Sequence, residues 1–91
     1  MKLTDAMNTY NSALLAIKSK GFDITLMPHD NDDELGSWCA KMNGHEFIAS
    51  DPLRLLGLIS IWEIRGNKWE RQPKESDLYD KILDDVFEDD E

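Results

Sequence analysis

An α+β domain follows from three patterns in this chain of 91 residues. Leu3, Met7, Tyr10, Leu14 and Ile17 recur at helical spacing near the start, and Leu78, Tyr79, Ile82, Leu83, Val86 and Phe87 do so near the end. Asn43-Gly44 stands between two runs of strand character, the strongest short-range signal for a two-residue hairpin turn. A third helical stretch, Leu53 to Ile64, is apolar around most of its circumference. The order predicted is an N-terminal helix, a three-stranded antiparallel β-meander, then two C-terminal helices packed on one face of the sheet. All of it belongs to a single domain, residues 1–91, because the length suits one core and no linker or repeat divides the chain.

The first helix has readable ends. Thr4 is placed to cap it, Asp5 favours its positive end, and Lys18 and Lys20 favour its last turn. Gly21 supplies the left-handed residue just past the end, which should fold Phe22 back on Ile17. From Phe22 to Met27 the residues alternate, so Phe22, Ile24 and Leu26 should face the core, and Pro28 ends the strand. Residues 29–36 read as a polar loop.

Counting outward from Asn43-Gly44 pairs Met42 with His45, Lys41 with Glu46, Ala40 with Phe47, Cys39 with Ile48 and Trp38 with Ala49. Trp38, Ala40, Met42, Phe47 and Ala49 then share the face expected under the helices. Cys39, Lys41, Glu46 and Ile48 share the other, where opposite charges at Lys41 and Glu46 support the register. Asp51 caps the next helix and Pro52 fits its first turn, where a missing N–H costs nothing. So apolar a helix should be central and covered on more than one side. Gly57 and Ser60 make a small-residue notch, predicting close approach of a neighbour, and Arg65-Gly66 closes the helix. The connector 67–73 leans basic. The last helix starts at about Ser76, its expected cap, and residues 88–91 form a frayed acidic tail.

Charge is concentrated rather than spread. Residues 1–29 carry +1, 30–50 carry −4, 51–73 carry +1 and 74–91 carry −7, within a net −9. Such a field attracts basic proteins and opposes nucleic acid. The acids Asp84, Asp85, Glu88, Asp89 and Asp90 crowd the negative end of the last helix dipole, where each is unfavourable unless a cationic surface compensates. Asp30, Asp32, Asp33 and Glu34 form a second acidic patch. These nine residues, with Trp69 as an aromatic surface anchor, are the candidate partner-binding set. Arg65, Lys68 and Arg71 beside Trp69 are expected to neutralise the acidic helix, with anion binding the weaker option.

Chemistry-bearing motifs are missing. Aligning Asp30 as the first EF-hand position puts Leu35 and Lys41 where glycine and glutamate are required, so the calcium motif fails. One cysteine and two histidines cannot supply a zinc site of the usual spacing, and the register separates Cys39 from His45. There is no phosphate-cradling glycine loop and no G-x-S-x-G or H-E-x-x-H. No enzyme activity, cofactor or metal is expected, and a small enzyme or metal site using the His29–Glu34 loop is the minority reading. The lone Cys39 fits a small buried apolar residue in a reducing compartment. With no apolar signal segment at Met1–Asp5 and no span long enough for a bilayer, a cytoplasmic, membrane-free protein is expected.

In size, charge and architecture the whole chain resembles the short acidic proteins of bacterial toxin–immunity systems. That resemblance implies an inhibitor that occludes a basic protein partner such as a nuclease toxin. The alternative is a structural or adaptor subunit, a homodimer built on apolar surface left over along Leu53–Ile64.

Overall fold

The computed structural model describes residues 1–28, 36–70 and 72–87. Its elements run α1 (Tyr10–Ser19), β1 (Asp23–Met27), β2 (Ser37–Met42), β3 (His45–Ala49), α2 (Pro52–Arg65) and α3 (Leu78–Phe87), with single 3-10 turns at Met7–Thr9 and Gly66–Lys68. The three strands form one antiparallel sheet in the order β1-β2-β3. The α+β order read from the sequence is the order found.

The hairpin sets the sheet. Asn43 and Gly44 hold φ of 51° and 83°, the positive values a type I′ turn requires. All five residue pairs of β2 with β3 are those counted from the turn, and Lys41 Nζ lies 3.2 Å from Glu46 Oε2. β1 adds to the other side of β2, with Asp23 opposite Lys41 and Met27 opposite Ser37.

One face of this sheet carries the core. Ala40 and Ala49 from the hairpin, Phe22, and Ile17, Leu55 and Ile59 from the helices form one buried cluster, with Ile24, Trp38, Met42, Phe47 and Leu56 packed around it. Phe22 and Ile17 meet as expected, because α1 stops with Gly21 at φ 96° and the chain turns back. α1 and α2 pack on each other and on the sheet. Lys20 Nζ and Glu63 Oε1, 3.0 Å apart, link them at the surface. Cys39 is a buried free thiol, as expected.

Several elements depart from expectation. α1 begins at Tyr10, well past Thr4, so Thr4 is not its cap. Leu3 and Met7 are exposed, and the Met7–Thr9 turn has no side-chain cap. Without a surface to cover them, those residues give no return on the cost of nucleating helix. Leu26 is also exposed, because the helices cover only part of edge strand β1. Gly57 faces open space, with nothing within 4 Å of where a Cβ would lie, so the notch with Ser60 receives no neighbour. Among the described residues, α2 packs mainly on α1 and the sheet, and Leu58, Ile61 and Ile64 remain exposed.

The largest departure is α3. It does not join the helical layer on the sheet: every residue from Leu78 to Phe87 is exposed. The radius of gyration, 16.6 Å, reflects this against about 12 Å for a compact chain of the same length. Asp77, not Ser76, caps the helix, since its Oδ1 accepts the Asp80 N–H at 3.1 Å. The side chain one residue nearer the helix reaches the free N–H groups. At α2 the expected cap holds: Asp51 Oδ1 accepts the Arg54 N–H at 2.8 Å and Pro52 follows at the first turn. The frayed-tail expectation for 88–91 lies outside the described residues.

Two glycines make opposite predictions. Gly57→Ala should raise the unfolding free energy by about 0.5–1 kcal/mol, because the methyl meets nothing and the helix gains propensity. Gly36→Ala should lower it, because a Cβ there would collide with the Met27 carbonyl. Denaturant melts of the two variants check both signs.

Candidate protein-docking surface

A groove of about 430 Å³ runs between β3 and α2. β3 contributes His45 to Ile48 in sequence, because it is an edge strand and both of its faces border the opening. α2 contributes Leu58, Ile61 and Trp62, and Asn67 and Trp69 close the connector end. The inner wall is a row of rings. Phe22 meets Phe47 edge-on at 5.8 Å, Phe47 lies 5.7 Å from Trp62, and the His45 ring sits 4.5 Å from the Trp62 ring. Such contacts fix ring orientation beyond what burial supplies. The outer rim is apolar and wet: Ile48, Leu58, Ile61 and Trp69 are 40–56% exposed.

Arg65 holds the connector that carries Trp69. Its Nε donates to the Lys68 carbonyl at 3.0 Å, and its Nη2 donates to the Glu70 carbonyl at 3.2 Å and to Glu75 Oε1 at 2.6 Å. Glu75 Oε1 also accepts the Gln72 N–H, and the Gln72 side-chain amide donates to the Glu70 carbonyl at 2.9 Å. One guanidinium therefore ties the end of α2 to residue 75, two positions before the Asp77 cap of α3. Charge-assisted bonds of this kind are the stronger members of a hydrogen-bond set.

α3 is divided lengthwise. At 100° per residue, Leu78, Ile82, Val86, Tyr79, Leu83 and Phe87 occupy one half of its circumference, and Asp80, Asp84, Lys81 and Asp85 the other. All six apolar residues are exposed, from 39% at Leu83 to 75% at Tyr79. Contiguous apolar surface of this kind marks interaction sites on soluble proteins.

Of the candidate binding residues, Asp84 and Asp85 lie on the polar half of α3, with no ion pair to another described residue. Trp69 is 56% exposed and lines the groove. Glu88, Asp89, Asp90, Asp30, Asp32, Asp33 and Glu34 lie outside the described residues, as does Arg71. Arg65 pairs with Glu75, which precedes α3, and among the described residues no ion pair reaches α3 itself, so the expected neutralisation of the acidic helix is not seen there. The groove itself escaped the sequence, although outward-facing Ile48 and the surplus apolar residues of Leu53–Ile64 were its signal. Among the described residues, no group of three or more His, Cys, Asp or Glu side chains is placed to hold a metal, and no helix is long and apolar enough to cross a membrane.

Compared with family models, with curated proteins and with solved structures, the chain matches none.

Removing the guanidinium should free the connector without unfolding the body. In Arg65→Ala, amide exchange across residues 66–77 should quicken while global stability falls by less than about 1 kcal/mol, the range of exposed ion pairs. Exchange mass spectrometry with a denaturant melt separates the two effects.

Proposed function

We propose that this protein is a non-catalytic binding module of the inhibitor or immunity type, acting in the cytoplasm, whose acidic terminal segment occludes a basic protein partner. A nucleic-acid-cleaving toxin domain is the partner class to test first, because its cationic substrate channel is chemistry that carboxylates can occupy. The observation that carries this reading is α3, a helix presented whole to solvent, with Asp80, Asp84 and Asp85 on one half and Lys81 as its one cation. Exposed carboxylates held on a helix steer a cationic partner at long range and fix its register at contact.

Leu58, Ile61 and Ile64 favour a second reading, a homodimeric structural or adaptor subunit, because they leave an apolar strip exposed on α2.

Affinity capture from the native host at low salt, with elution by a salt gradient, identifies the basic partner for titration. Asp84→Asn with Asp85→Asn should slow association several-fold at low salt, and the difference should vanish near 1 M, where the Debye length is about 3 Å. Truncation after Phe87 combined with neutralisation of Asp30, Asp32, Asp33 and Glu34 should weaken binding further. Unchanged affinity in these variants, or a complex indifferent to salt, removes the reading.

A further inference from the structure

We propose that α3 of one chain lies, apolar half inward, in the β3–α2 groove of a second copy, and that the exchange is reciprocal. This deepens the self-association reading and is independent of the basic partner. The chain carries both halves of the contact: a convex apolar stripe on α3 and a concave apolar groove walled by Ile48, Leu58, Ile61, Trp62 and Trp69. Each is left open by the described residues of its own chain. The Arg65 bonds to Lys68, Glu70 and Glu75 hold the connector that leads to α3 in its present path. Docking into a second copy keeps them.

The area is sufficient. The α3 stripe and the groove rim together expose on the order of 1,000 Å² of apolar side chain per chain, against about 800 Å² per partner in a standard stable interface. The arrangement is isologous, because the same two chains exchange helices with each other, so it closes as a twofold dimer without extending into a filament. Charge agrees with it. With the stripe buried, Asp80 and Asp84 face solvent and no carboxylate of α3 enters the apolar floor.

Sedimentation velocity on the full chain tests this with two variants, Ile82→Asp in the stripe and Ile61→Asp in the groove wall. Both residues are exposed, and circular dichroism confirms that each variant folds. At about 100 µM the wild-type chain should be a dimer that persists at high salt, and each variant alone should self-associate at least about tenfold more weakly. Mixing the variants should give a heterodimer tighter than either homodimer, because the intact helix of one meets the intact groove of the other. A monomeric wild-type chain overturns both the exchange and self-association. A dimer unaffected by Ile82→Asp, or a mixture no tighter than its components, overturns the exchange while leaving self-association standing.

Discussion

Asn43 and Gly44 occupy two consecutive positive-φ positions, and a turn that short leaves the flanking strands one register. A slip of one residue would send Ala40 and Ala49 to solvent and put Lys41 and Glu46 beneath the helices. From this constraint the core follows: two small residues on the sheet let Leu55 and Ile59 of α2 and Ile17 of α1 approach closely, with Phe22 wedged beside them. The ring row from Phe22 through Phe47 to Trp62 and His45 extends the same face toward the sheet edge. The groove is what remains where that face runs out, because β3 has no further strand beside it.

α2 has two jobs that pull in different directions. Its inner positions complete a small core, and its outer positions are just as apolar but find no cover within the chain. In a domain of this size the surface left over is large relative to the core. Arg65 bonds the connector at Lys68, Glu70 and Glu75, beside Trp69 at the groove mouth. Under the two proposals the halves of α3 would serve separate contacts, the carboxylates with a cationic partner and the stripe with a second copy.

Local signals were legible wherever local chemistry governs. The hairpin register, the Asp51-Pro52 start of α2 and the Gly21 turn all depend on neighbours within a few residues, or on strand alternation. The misread elements depend on distant surfaces. Leu3 and Met7 have helical spacing but nothing to pack on, so α1 starts late. The stripe of α3 shows that the helix is amphipathic and carries no information on what it faces, so periodicity alone does not place it on or off the sheet. The lack of periodicity around Trp69 points to a surface position, which its exposure bears out, yet its place beside Ile48 and Leu58 depends on the fold of the connector. Glu75, which turned out to organise that connector, looked like one more acid in an acidic run.

The core of the body, from Ile17 to Ile59, contains no residue of α3. The most direct measurement is the equilibrium unfolding of a chain ended after Pro73, compared with the full chain in dilute solution, where self-association is negligible. A body with its own core should unfold cooperatively at a denaturant midpoint close to that of the full chain. A shortened chain that is unfolded, or that loses most of its stability, would mean that α3 belongs to the core.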